Sequence, residues 1–190
     1  MNDIDMKATT HTLLVFTDNS PGVLQRLTIM FTRRKLNIES LTVSETEQHA
    51  RSRFTIVVRC DLETAEKVAG QLKKMVETQD VLLCSDREVC FREVALYKIQ
   101  PLTTSKRTEF DACVREHAAH LIEESASGLV VEKTGVEDEV QMLLAALKPF
   151  GVKEFVRSGR IALLKSDRAP EFEQIAHQEH ATQADSDSWL

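Results

Sequence analysis

Hydrophobic positions along the chain follow two rhythms that exchange several times. "HTLLVFTD" (11–18) is an almost continuous apolar run of strand length, and the period changes at Pro21. From there Val23, Leu24, Leu27, Met30 and Phe31 fall at i, i+1, i+4, i+7 and i+8, the spacing of one helix face. "RRK" (33–35) then places positive charge at the end that the helix dipole favours. "NIESLTVSET" (37–46) and the β-branched "RSRFTIVVRC" (51–60) predict two strands joined by a hairpin loop at the polar "EQHA". Asp61 is placed to cap a second helix with an apolar stripe of Leu62, Ala65, Ala69, Leu72 and Val76. "DVLLCSD" (80–86) closes the order strand, helix, strand, strand, helix, strand.

The second half repeats that order. "VCFREVALYKI" (89–99) predicts a strand, Pro101 and "TTSK" a loop, and 107–120 a helix carrying Phe110, Cys113 or Val114, and His117. "LIEES" and "LVVEKTG" flank Gly128 as a hairpin. Val140, Leu143, Leu144 and Leu147 mark a last helix, stopped by Pro149 and Gly151. "VKEFVRSGRIALLKS" (152–166) predicts a final strand, or a hairpin around "SGR". The reading is therefore two α+β units of βαββαβ order, with a boundary near Asp86–Cys90 and a polar segment from 167 predicted to be a mobile tail or a loose short helix. Each unit, at roughly 80 residues, has only a modest core. A four-stranded antiparallel sheet with both helices on one face leaves its other face and edges open, so Val15, Ile56 and Val58 call for extra cover and a dimer is expected.

Composition narrows the class. At 190 residues the chain suits two small domains, and no apolar run approaches the ~20 residues of a membrane span. The polar, acidic opening "MNDIDMKATT" lacks the pattern of a signal peptide, which makes a cytoplasmic location the expectation. A formal charge of −6 argues against nucleic acid, whose phosphates usually select a basic surface. Cys60, Cys84, Cys90 and Cys113 form no CxxC pair and are expected to be buried thiols rather than disulfides or zinc ligands.

Chemistry is sparse. In "DNSPG" Ser20 suits the N-cap and Pro21 the first helical position, which leaves the N–H groups of Gly22, Val23 and Leu24 pointing out of the helix start. Such an end attracts a carboxylate, a bare glycine admits a ligand close to the backbone, and Asn19 adds donors and an acceptor. The same residues equally describe a well-capped helix that binds nothing. Asn37 reads as a C-cap or turn residue. The pairs His117/His120 and His177/His180 have i, i+3 spacing but no further ligand set, and are taken as solvated or partly packed. "GVEDEV" reads as an acidic helix start. Phosphate-loop, GxGxxG, GxSxG and HExxH patterns are absent, and no catalytic set announces itself.

The stretch "LLVFTDNSPGVLQRLTIMFTRRKLNIESLTVSET" with "SRFTIVV" resembles an ACT domain, and more narrowly the small regulatory subunit of acetolactate (acetohydroxyacid) synthase. Its N-x-x-G-x-L start and "NIESLTV" carry most of that specificity, while "FREVALYKI", "GLVVEKTG" and "LKPFGVKEFVRSGRIALLK" resemble the same subunit's C-terminal domain. The resemblance spans about 11–166, with Pro21 and the added tail as departures. It implies two ferredoxin-like βαββαβ domains in tandem: an extension over 1–10, an ACT domain over 11–87, a C-terminal α+β domain over 88–166 and the tail over 167–190. It implies that ACT domains pair side by side as a homodimer and hold valine at their interface. Carried over position by position, the contacts are Asn19, Gly22, Val23, Leu24, Asn37 and Ile38. The chain would be non-catalytic, with no cofactor, metal, nucleic-acid or membrane partner. It would activate a large catalytic subunit that carries thiamine diphosphate, Mg²⁺ and FAD, and make it responsive to valine. The alternative is a free-standing ACT-domain sensor regulating another enzyme or transcription.

Overall fold

Strand β1 (Thr9–Asp18) lies inside its sheet and is buried on both faces from His11 to Thr17, which is why its sequence runs apolar without alternating. The computed structural model describes residues 8–166. After β1 come α1 (Val23–Arg33), β2 (Ile38–Glu45), β3 (Arg51–Cys60), α2 (Leu62–Leu72) and β4 (Thr78–Ser85). The strands form an antiparallel sheet in the order β2-β3-β1-β4.

One face of that sheet, with Leu13, Val15, Phe54, Ile56 and Val58, packs on Val23, Leu27 and Phe31 of α1 and on Ala65, Val68 and Leu72 of α2. Val15, Ile56 and Val58 thus lie under the unit's own helices, contrary to the expectation that they need outside cover. The other face is buried too, through Thr12, Leu14, Phe16, Thr55 and Val57. There the Arg53 guanidinium lies 5.3 Å from the Phe16 ring centre and donates to the Ala162 carbonyl. In α2, Val68 takes a core position, whereas Leu62 at the first turn and Val76, beyond the helix end at Leu72, are exposed.

Asp61 caps α2 as expected: its carboxylate accepts the Thr64 N–H and the Thr64 hydroxyl, each at 2.8 Å. The Thr64 N–H, more than any other group, holds this carboxyl below its ordinary value. A depressed folded-state value gives stability that is present above the ordinary Asp range near ~4 and lost as pH falls through the lowered value. Asp61→Asn keeps an acceptor but removes the titration. Its melting temperature is expected to fall less steeply than wild type between about pH 4 and pH 2, and parallel curves would contradict this role.

The second sheet contains β5 (Val89–Ile99), β6 (His120–Ser125), β7 (Gly128–Gly135) and β8 (Val152–Arg157) in the order β6-β7-β5-β8. It is accompanied by α3 (Thr104–Glu116), α4 (Glu137–Leu147) and a 3₁₀ turn at Lys148–Phe150. The last strand, β9 (Ile161–Leu164), also pairs with β5, so "SGR" links two strands laid on one neighbour and is not a hairpin tip. Tyr97, Ile99, Phe110, Val131, Val140, Leu143 and Leu147 form the core. Burial, with the charge of Glu93 adding to it, pushes the Tyr97 phenol up to about 12, so it stays protonated and donates to the Val140 carbonyl at 2.8 Å. Glu137, Asp138 and Glu139 occupy the first turn of α4, and Glu139 accepts the Val136 N–H at 2.9 Å.

α3 starts inside the "TTSK" segment expected to be a loop and ends at Glu116 rather than at 120. Ala118 adopts φ 48° and the Ala119 N–H bonds the Val114 carbonyl, which closes the helix. His117 is therefore a C-cap residue and His120 opens β6, so the pair does not share a helix face. Cys60 and Cys84 are buried and Cys113 is half-buried, but Cys90 takes an outward position on β5 and is exposed. The predicted tail and His177/His180 lie outside the described residues. The chain forms two compact α+β units, one running to Cys90 and resuming at Ala162, the other Phe91–Ile161.

Candidate functional site at the start of the first helix

The helix begins later than the sequence suggests. α1 starts at Val23, and Gly22 is its N-cap, in the left-handed region at φ 85° and ψ −6°. Ser20 and Pro21 form the turn before it, and the Ser20 side chain makes no cap bond. The turn fixes itself through its backbone: Asn19 N–H bonds Ala50 at 2.7 Å, and Ser20 N–H bonds Asp18 at 3.1 Å. The Gly22 carbonyl accepts the Arg26 N–H at 3.1 Å, which opens the helical ladder. Val23 N–H turns back to the Ser20 carbonyl at 3.5 Å, while Leu24 and Gln25, in the first turn, have no intrahelical partner for theirs.

Beside this turn is a cavity of about 170 Å³. Four of the six predicted contacts line it: Asn19, Gly22, Val23 and Leu24. Asn37 and Ile38 do not. An eleven-residue helix spans about 16 Å, and these two residues follow its far end. Ile38 pairs with Val58 and Val43 with Phe54, four residues apart on β3 or about 13 Å. Asn37 is exposed and donates to the Glu39 carboxylate at 3.1 Å.

Asp18, Ser20, Val43, Ser52 and Phe54 complete the cavity and were not among the predicted residues. Hairpin register is the signal that points to them: counting back from the "EQHA" loop sets Val43 opposite Phe54, and β1 sets Val15 and Thr17 opposite Phe54 and Ser52. The floor is thus aliphatic and aromatic. The one charged lining residue is Asp18, whose carboxylate accepts from the Gln79 amide at 2.7 Å. Arg26 lies beside Gly22 but outside the lining and pairs with Glu77 at 2.7 Å. A larger cavity of about 360 Å³, lined by Leu82, Cys84, Arg87, Glu88, Leu164 and Lys165 among others, contains none of the predicted residues. Among the described residues no group of three or more His, Cys, Asp or Glu is placed to hold a metal ion, and no helix is long and apolar enough to cross a membrane.

The model of the AHAS small subunit-like ACT domain matches residues 13–80, and that of the small subunit of acetolactate synthase matches 92–166. The acetolactate synthase small subunit of Mycobacterium bovis is 38% identical over 163 residues, covering 86% of this chain and 96% of the relative. The chain belongs to the acetolactate synthase small-subunit family. A Bacillus subtilis member is 36% identical over 148 residues, 77% of this chain and 86% of its own. The crystal structure of the Thermotoga maritima small subunit superposes with a TM-score of 0.76 at 29% identity, covering 84% of this chain and 99% of that one. The small-subunit resemblance and the α+β fold read from the sequence both stand. The ACT match contains the α1 start and its cavity.

Proposed function

We propose that this small subunit is a non-catalytic regulator. It binds an acetolactate synthase large catalytic subunit, raises its activity and confers feedback inhibition by valine, serving branched-chain amino-acid biosynthesis in the cytoplasm. The ACT domain, 11–87, senses valine and 88–166 forms the C-terminal domain. Thiamine diphosphate, Mg²⁺ and FAD belong to the large subunit.

One observation carries the reading: the cavity at the start of α1 has the two-sided chemistry of an amino-acid pocket but only four of its six expected contacts. First-turn N–H groups and Asn19 suit an α-carboxylate, Asp18 an ammonium, and Val23, Val43 and Phe54 an isopropyl group. Asn37 and Ile38 are too far along α1 to join from the same chain, so they come from a second copy. β2 is an edge strand, and Val43 on it and Leu24 and Ile29 on α1 are exposed apolar residues. Side-by-side pairing along that edge covers them and closes two pockets at once. Because coupling is reciprocal, a valine that lowers large-subunit activity must bind the inhibited state more tightly than the active one.

Reconstitution tests this directly. The chain alone is expected to make no acetolactate, to raise the rate of its large subunit on mixing, and to lose that increase on titration with valine. Large-subunit activity that does not change on mixing would sink the proposal.

A further inference from the structure

One hydroxyl interrupts the apolar floor of the cavity. Side chains two apart on a strand share a face, so Ser52 stands beside Phe54 on the face of β3 that packs against α1. Both line the cavity. Across the sheet Ser52 lies opposite Thr17 of β1, and Thr17 opposite Thr78 of β4. Three hydroxyl residues thus form a row next to the apolar row of Phe54, Val15 and Val81. Their circumstances differ. The Thr17 hydroxyl donates to the Asp18 carbonyl at 3.0 Å. The Thr78 hydroxyl is sealed in without a partner, away from the cavity lining. Ser52 is only 6% exposed and lines the cavity, yet its hydroxyl has no hydrogen-bond partner among the described residues.

We infer that Ser52 is a ligand contact: its hydroxyl hydrogen-bonds the main-chain end of the bound amino acid, the end that carries the ammonium and the carboxylate. This rests on the amino-acid reading of the cavity. A hydroxyl taken out of water and left unpaired destabilises the empty protein, whereas a small apolar residue in its place would not. A ligand group that supplies the missing bond recovers that loss on binding. Position along β3 separates the two ends of the ligand. Ser52 lies opposite Thr17, the residue before Asp18 and Asn19. Phe54 lies two residues further on, about 7 Å along the strand, and opposite Val43. The hydroxyl therefore belongs with Asp18 and Asn19, and Phe54 and Val43 are left for the isopropyl group. A serine hydroxyl both donates and accepts, so it serves either charged group of that end.

Ser52→Ala separates this role from a structural one, because the two predict different signs. In the full chain without ligand, removing an unpaired hydroxyl is expected to leave the melting temperature unchanged or slightly raised. Calorimetric titration with valine is expected to show binding about tenfold weaker than wild type, the scale of one hydrogen bond to a charged group. Threonine, which has the shape of valine with a hydroxyl on its side chain, tells which end is contacted. An apolar pocket rejects such an isostere by only about a hundredfold, so its binding stays measurable. Ser52→Ala is expected to weaken threonine and valine by the same factor. Tighter valine binding with weaker threonine binding would put the hydroxyl at the ligand's side chain and overturn the inferred contact. Wild-type valine affinity in Ser52→Ala, or a lowered melting temperature without ligand, overturns it too and leaves the valine site intact. Absence of valine binding by the wild-type chain overturns the amino-acid reading, and the Ser52 contact with it.

Discussion

Gly22→Asp is expected to leave the chain folded and able to activate its large subunit, yet unresponsive to valine. The new Cβ would lie 3.1 Å from Nη1 of Arg26, so the aspartate carboxylate captures that guanidinium and fills the space at the helix start. At the proposed valine site it would also stand close to the ligand's own carboxylate. Two unit negative charges 4 Å apart repel by about 4 kcal/mol at an effective dielectric constant of 20, and screening reduces this without removing it. Since 1.4 kcal/mol is tenfold in affinity, a loss of at least about tenfold follows. The fold tolerates the change. An L-residue at the left-handed angle of Gly22 costs about 1–2 kcal/mol, aspartate is among the side chains that visit this region, and a negative charge at a helix start returns about 0.3–1 kcal/mol. Calorimetry with valine checks this, and wild-type affinity in the mutant would reject the site.

The largest effect on stability is expected from Gly128→Ala. Gly128 sits at φ 137°, and a Cβ there would lie 2.0 Å from the carbonyl oxygen of Ile99, a backbone atom with no rotamer to move away. Ile99 pairs with Leu129 in the β5–β7 ladder and both are buried, so relief of the clash must separate two core strands. Backbone strain of about 1–3 kcal/mol and overpacking of about 1–3 kcal/mol together approach the whole stability of a small domain. The urea midpoint of Phe91–Ile161 should fall sharply, or the protein should fail to accumulate in folded form. Gly70→Ala provides the contrast. It lies within α2 with nothing within 4 Å of its Cβ position, so the same change should stabilise by roughly 0.5–1 kcal/mol. Equal midpoints for Gly128→Ala and wild type would rule out the close approach.

How far the sequence could be read depended on how strongly each segment marked its own period. β1, α1, the β2–β3 hairpin, β5 and α4 carry runs whose apolar spacing admits one element type, and they appear where expected, α1 with a later start at Val23. α3 buries only Phe110 and Val114, so its polar first turn looked like a loop. Its end was hidden because Ala118 takes the left-handed position that glycine usually marks. Ser20-Pro21-Gly22 fits two solutions locally, a Ser cap with Pro in the first turn or a turn followed by a Gly cap. Long-range bonds such as Asn19 to Ala50 accompany the second. Of the candidate cavity, the sequence marks the lining residues that lie close together in the chain, Asn19, Gly22, Val23 and Leu24. Val43, Ser52 and Phe54 enter through strand register.

Ala162 bears on how this protein can be taken apart. Its carbonyl holds Arg53 over Phe16, although more than a hundred positions separate it from Arg53 in the chain. A fragment cut after the first sheet would keep every strand of that sheet and still lose this clasp on Arg53, on the face away from the helices. Dissection for crystallography, binding assays or fusion therefore needs the later segment supplied. Behaviour of a short amino-terminal fragment, solubility above all, would report on that missing clasp as much as on the sensor itself.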